Sequence, residues 1–236
     1  MKERIILLVL FLILFITSCN TKPAKELSIN GSIKGLTKGT IYLEKLKDST
    51  FAPVDSFKVR DNGKFTVGDA LESPEIYYLR IKEKPEESIL IFGEKGNLEV
   101  TSKLDKFTTA AKVTGSTNHD LLTAYKEMIQ KFNDSRLDLF KANIEAEQAQ
   151  DQQAIDSLNK VHANLIRRRY LYTANFAVTH ADKEIAPYLA LTELYNANLS
   201  LLDTVNTSLT AQIQQSKYGK QLDRFITVVK KNERAK

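Results

Sequence analysis

The chain has 236 residues, with 34 Lys and Arg against 29 Asp and Glu, three histidines, one cysteine and no tryptophan. Its length allows two modest domains, each with a core of its own. The net charge of +5 is spread evenly, with 16 basic and 14 acidic residues on each side of Gly115 from position 19 onward, which excludes a basic nucleic-acid-binding domain.

The N-terminus carries the most specific signal. Lys2 and Arg4 precede twelve uninterrupted apolar residues, Ile5 to Ile16, followed by small Thr17 and Ser18 and then Cys19. Twelve residues fall short of the roughly 20 needed to span a bilayer. The pattern predicts a lipoprotein signal peptide over 1–18, cleaved between Ser18 and Cys19, with Cys19 as the lipidation site. Each buried methylene is worth about 0.8 kcal/mol, so two or three acyl chains such as palmitate hold the mature protein on a membrane without a spanning helix. Residues 19–26 then form a lipidated polar tether. No acidic run follows Cys19 and Asn20, not Asp, stands next to it. A periplasm-facing outer-membrane lipoprotein is therefore expected, with the cell surface left open.

From 27 to 115 the hydrophobic pattern has a period of two, broken by turn residues every eight to twelve positions. Leu27, Ile29 and Ile33 alternate with polar residues, as do Phe57 and Val59, Phe65 and Val67, and Leu98 and Val100. Asp61-Asn62-Gly63 carries the Asn-Gly signal of a tight hairpin, which predicts antiparallel pairing of Phe57–Val59 with Phe65–Val67. Ile76-Tyr77-Tyr78-Leu79 and Ile89-Leu90-Ile91-Phe92 are apolar at consecutive positions, so both faces of these strands should be covered. Seven or eight strands are expected, in an antiparallel β-sandwich or partly open barrel.

After Gly115 the period becomes helical, giving an α+β chain with a helical domain over 116–236. Ser116 and Thr117 are good N-caps for a stripe of Leu122, Tyr125, Ile129, Phe132, Leu139, Phe140 and Ile144. Glu147 to Gln153 has no apolar residue larger than alanine and is the expected reversal, before a second helix bearing Ile155, Leu158, Val161, Leu165, Tyr172 and Phe176. Two helices of nearly 30 residues would each be about 43 Å long. Shorter helices are expected near Asp182, with Pro187 in an early turn, and at Ser200 with Asp203 in capping-box register. A last helix is expected from about Ser216 to Lys231.

The strand opening Ile29-Asn30-Gly31-Ser32-Ile33-Lys34-Gly35-Leu36, the Asp55 to Phe65 segment, Ile76 to Arg80, Gly96 to Val100, Val113 to Ser116 and Ser216 to Lys220 occur in a characteristic order. Together with the N-terminal signal they resemble the domain of unknown function numbered 4369, found in Gram-negative lipoproteins and often placed before a thioredoxin-like domain. In the longer relatives a thioredoxin fold with a Cys-x-x-Cys motif would begin just after the last helix, where this chain reaches Lys236. The resemblance therefore transfers no catalytic residue.

Other chemistry has no spacing signal. His119, His162 and His180 lack metal-site spacing, so no metal or cofactor is expected. Arg167-Arg168-Arg169 points in three directions on a helix and reads as solvated surface. Glu86-Glu87 beside Pro85 reads as a loop tip, while Tyr42, Tyr77 and Tyr78 read as packing residues, not as a sugar platform. With Cys19 acylated no thiol remains for catalysis. The favoured expectation is a membrane-anchored, non-catalytic envelope lipoprotein that binds a protein partner, for which the resemblance suggests a thioredoxin-like protein. A ligand-binding lipoprotein, with a cleft for a glycan, peptide or lipid where helices meet sheet, is the alternative. An enzyme with an unrecognised site is the third.

Overall fold

A computed structural model describes residues 25–234. The signal peptide, Ser18, Cys19 and most of the tether lie outside the described residues. Eight strands come first: β1 (Leu27–Lys34), β2 (Gly39–Lys47), β3 (Thr50–Val59), β4 (Lys64–Asp69), β5 (Glu75–Ile81), β6 (Lys84–Gly93), β7 (Gly96–Lys103) and β8 (Lys112–Thr114). They build two four-stranded sheets, ordered β4-β1-β7-β8 and β3-β2-β5-β6. Leu27, Ile29 and Ile33 from the first sheet share one core with Ile41, Leu43, Tyr77, Leu79 and Ile91 from the second. The alternation of period two puts each of these side chains on an inner face.

The pairing departs from the sequence reading in two places. Phe57–Val59 and Phe65–Val67 do not pair: β3 pairs with β2, and β4 with β1. The tight hairpin is the one between β2 and β3, whose turn residues Asp48 and Ser49 both have positive φ (46° and 67°), as a twist-matched two-residue turn requires. Gly63 still adopts positive φ, but its carbonyl accepts from Ile33 N at 2.9 Å, so the Asn-Gly turn carries the chain between sheets. Phe65 belongs on β1 because Gly31, its register partner, has no side chain; a Cβ there would come within 1.9 Å of the Phe65 ring. The second departure is that β7 returns parallel to β1, so the sandwich is not wholly antiparallel. A third, smaller correction is that Glu86 and Glu87 lie within β6 and not at a loop tip, with Lys84 Nζ reaching Glu87 at 3.0 Å.

Six helices follow: α1 (Thr117–Gln148), α2 (Gln152–Thr179), α3 (Ile185–Glu193), α4 (Leu199–Ser208), α5 (Ala211–Gln214) and α6 (Lys217–Arg234). Ser116 caps α1 by accepting from His119 N, and Asp151 caps α2 by accepting from Ala154 N at 2.9 Å. Between them Gln150 takes a left-handed φ of 55°, which closes the reversal. The cap of α4 is Asn198, accepting from Ser200 N; Asp203 makes no capping box and pairs with Lys230 at 2.7 Å. The short α5 and a 3-10 turn at Leu104–Lys106 carry no periodic signal and escape sequence reading.

The two-sided strands explain how the helices attach. Tyr77, Leu79, Ile89 and Ile91 face the sandwich core. On the opposite face, Ile76 and Phe92 form a second core with Leu122, Tyr125 and Ile129 of α1 and Ile185 and Leu189 of α3. A third core, including Ala177, Ala190, Val205, Leu209 and Leu222, holds α2 to α6 together.

Candidate functional site

At the seam between β-sandwich and helices the C-terminal end of β6 meets the N-terminus of α1. Ser116 Oγ donates to the carbonyl of Phe92 at 2.7 Å, and the neutral His119 Nδ1 accepts from Phe92 N at 3.3 Å. Glu94, just beyond β6, accepts from Thr117 N at 2.6 Å and from Asn118 N at 3.3 Å, which places a carboxylate on the positive end of the helix. Asn118 is 2 % exposed. Its Nδ2 donates to Glu94 at 2.8 Å and to Glu184 at 3.4 Å, while its Oδ1 accepts from Ile185 N at 2.9 Å. One buried amide thus ties the sandwich, α1 and α3, with three of its four hydrogen-bonding positions in use.

The same seam opens outward as a groove of about 1030 Å³, bounded by Glu72–Pro74 and Glu94–Lys95 on the sandwich side and by Asp182–Glu184, Gln212 and Lys217 to Arg224 on the helical side. Burial raises the Glu184 carboxyl above the usual carboxylate range, and the charge of Glu94 adds to the effect, while the bond from Asn118 opposes it. Burial lowers the His119 imidazole below its ordinary range, helped by Lys126. At the far wall Lys217 pairs with Glu75, its backbone N–H donates to Ser73 Oγ at 3.3 Å, and Tyr218 accepts from Ile76 N at 3.0 Å. The acidic inner wall and the basic rim of Lys95, Lys183, Lys220 and Arg224 make a groove suited to a polar, charged chain.

The family match is decided by the β part. Residues 27–122 match the sequence profile of the family described as Domain of unknown function (DUF4369). This segment is a DUF4369 domain. It takes in all eight strands together with Asn118 and His119, so the seam's hydrogen-bonded hub is counted within the DUF4369 domain while Glu184 and Lys217 lie beyond it. No curated protein and no solved structure matches the chain.

Cys19 and Ser18 lie outside the described residues, and the seam contains no residue that the sequence singled out as catalytic. Of the three histidines only His119 joins it. His162 lies on the α1–α2 hairpin, and His180 packs against Phe176 at 4.6 Å between ring centres. Among the described residues no three His, Cys, Asp or Glu side chains are grouped to hold a metal ion. Arg169 pairs with Glu193, whereas Arg167 and Arg168 stay exposed. Tyr77 is buried and donates to Asp69 at 3.0 Å, and Tyr78 meets Phe51 edge-on at 5.0 Å. Asn118, Glu94 and Glu184 escaped the sequence reading because each is an ordinary polar residue near a turn or helix start. The one available signal was the strong cap at Ser116, which marks where α1 must meet something.

Proposed function

We propose that the protein is a non-catalytic envelope lipoprotein, anchored through lipid on Cys19, whose DUF4369 domain and helices together form a ligand-binding groove. The observation that carries this reading is the groove itself. Its inner wall is fixed by a buried asparagine that bonds to Glu94, Glu184 and Ile185, so binding would not have to order the site first. The polar lining favours a peptide or glycan over a lipid among the ligand classes the sequence leaves open. The N-terminal signal supports a site near a membrane, where the polar tether would keep it within about 25 Å of the lipid. Among the described residues no helix is long and apolar enough to cross a membrane.

A chain starting at Asn20 is the reagent for the test. Peptide and glycan panels should raise its melting temperature, and Lys220→Glu with Arg224→Glu should abolish the shift without lowering the unliganded melting temperature. Absence of a shift across both panels would count against the groove as a ligand site. The family resemblance favours a second reading, an accessory role toward a thioredoxin-like protein, which a stable complex with such a protein from the same envelope would support. Cys19→Ser should prevent incorporation of labelled fatty acid; continued labelling would overturn the anchor.

A further inference from the structure

The α1–α2 hairpin is longer than the body it packs on. α1 spans 32 residues, about 48 Å. Its buried residues Asn118, Leu122, Tyr125 and Ile129 all lie in the first half, and beyond them only Ala146 is buried. In α2 the buried residues Thr173, Ala174 and Ala177 all lie near the C-terminal end. The distal half is therefore a two-helix ribbon with no second layer, although a helix stripe needs an opposing surface to be stable. Phe140 is 61 % and Leu137 54 % exposed, and Ile144 follows on the same stripe. Phe140, Leu137, Leu158 and His162 line an open groove of about 450 Å³ along this ribbon.

The charges say what covers it. Between Lys141 and Lys160 the charged residues are Glu145, Glu147, Asp151 and Asp156, all acidic and all exposed. The shaft beside this tip, 131–141 and 160–169, carries seven basic and two acidic residues, and of the basic ones Arg169 is paired with Glu193. An acidic tip and a basic shaft on one hairpin complement each other when two hairpins lie antiparallel. Superposing tip on shaft puts the two-fold axis about 10 residues, or roughly 15 Å, from the reversal at Gln150. That position is Phe140, the most exposed of the large apolar side chains among the described residues. Charge and hydrophobicity, read independently, place the axis at the same residue.

We propose that a second copy of this chain docks there, through an isologous antiparallel contact that completes a four-helix bundle with Phe140 at its two-fold axis. A face about 30 Å long and two helices wide buries roughly 600 Å² per copy, the lower end of a specific interface. The surface is separate from the seam groove and shares no lining residue with it.

Sedimentation of the chain from Asn20, which keeps every described residue, should show a dimer at micromolar concentration. Phe140→Lys should weaken it by at least about tenfold while leaving the melting temperature unchanged at dilutions where both proteins are monomeric, because the side chain is exposed in the single copy. Reversing the tip (Glu145, Glu147, Asp151 and Asp156 to Lys) or the shaft (Lys131, Arg136, Arg167 and Arg168 to Glu) should each disrupt self-association. Mixing the two reversed variants should restore a heterodimer. Phe140→Cys should cross-link to its own copy, whereas Gln148→Cys, two turns from the axis, should not. A wild-type monomer at 100 micromolar (about the upper range for a working interface) would overturn the proposal and assign the face to a different protein. So would a dimer that survives Phe140→Lys, or reversed variants that fail to restore pairing on mixing.

Discussion

The hydroxyl of Tyr218 accepts a hydrogen bond from the backbone N–H of Ile76 at 3.0 Å, across 142 residues of chain. β2 pairs with β5 only as far as Tyr78, so the N–H of Ile76 falls beyond that ladder, and α6 supplies the acceptor that the sheet cannot. The ring packs edge-on against Phe92 (6.0 Å) and beside Tyr188 (5.4 Å). Lys217, one residue earlier, pairs with Glu75. The final helix thus closes on the DUF4369 domain through two adjacent side chains, while Gly219 lets its first turn pack on α5: a Cβ there would sit 2.0 Å from the Ile213 carbonyl oxygen.

Tyr218→Phe should therefore leave a buried N–H without a partner and cost about 1–3 kcal/mol, against the smaller loss expected for an exposed hydroxyl. Urea unfolding of the two proteins measures it. An unchanged midpoint would show that the helix is held by ring packing alone. Tyr218→Ala removes the ring as well and should cost more, about 3–5 kcal/mol.

The same contact shows what can be read from a sequence and what cannot. Consecutive apolar residues at 76–79 and 89–92 require cover on both faces, and the structure supplies it from α1 and α3. Local chemistry also locates the Ser116 cap and the reversal before Gln152. The pairing of β3 and β4 was not legible, because an Asn-Gly turn specifies a backbone bend and not the sheet each flanking strand joins. Gly31 and Phe65 decide that question through a missing side chain 34 positions away, which periodicity does not record. The seam was hidden for a related reason: Glu94, Asn118 and Glu184 become a cluster only when β6, α1 and α3 converge.

His119 should make the seam sensitive to acid. Its Nδ1 can accept from Phe92 N only when unprotonated, and burial holds the folded imidazole below its ordinary range. The unfolded chain takes up that proton near pH 6.5, so the contribution is fully present above this pH and is lost as pH falls through the lowered folded value. Urea midpoints at pH 7.5, 6.5 and 5.5 should decline with a component no steeper than about 1.4 kcal/mol per unit. His119→Gln keeps an acceptor without the proton and should flatten that component. An equal slope in the variant would place the acid sensitivity elsewhere.

Glu184 should act in the opposite direction. Its carboxyl is raised by burial, so the folded state favours the protonated form. Its contribution is fully present below the unfolded value and is lost as pH rises through the folded one. Glu184→Gln should then be the more stable protein near pH 7 and lose that advantage toward pH 4, since Asn118 can donate to an amide oxygen as it does to the carboxylate. A variant less stable than wild type at pH 7 would show that the ionised form makes a stronger bond to Asn118 than burial costs.

Gly31→Ala places a Cβ 1.9 Å from the Phe65 ring and should destabilise the sandwich by about 1–3 kcal/mol, the usual range for overpacking. Phe65→Leu in that background should recover part of the loss although it is destabilising alone. The four proteins form a double-mutant cycle, and a coupling energy of about 0.5–3 kcal/mol is expected. Additive effects would mean that β1 shifts to accommodate the methyl group and that Phe65 does not set its register.

The sandwich should depend on its helices. Ile76, Tyr78, Leu90 and Phe92 lie on the outer face of β5 and β6, against Leu122, Tyr125, Ile185 and Leu189. Removing everything after Gly115 exposes that row and also strips the acceptor from Ile76 N and the helix N-terminus from Glu94. Contiguous apolar surface of this kind drives association. A fragment of 26–115 should therefore bind a hydrophobic dye and aggregate, and changing Leu90 and Tyr78, the half-buried members of the row, to Thr should improve its solubility without restoring full stability. A monomeric 26–115 fragment that unfolds cooperatively at the temperature of the whole chain would show instead that the β-sandwich is self-sufficient and that the second core only positions the helices.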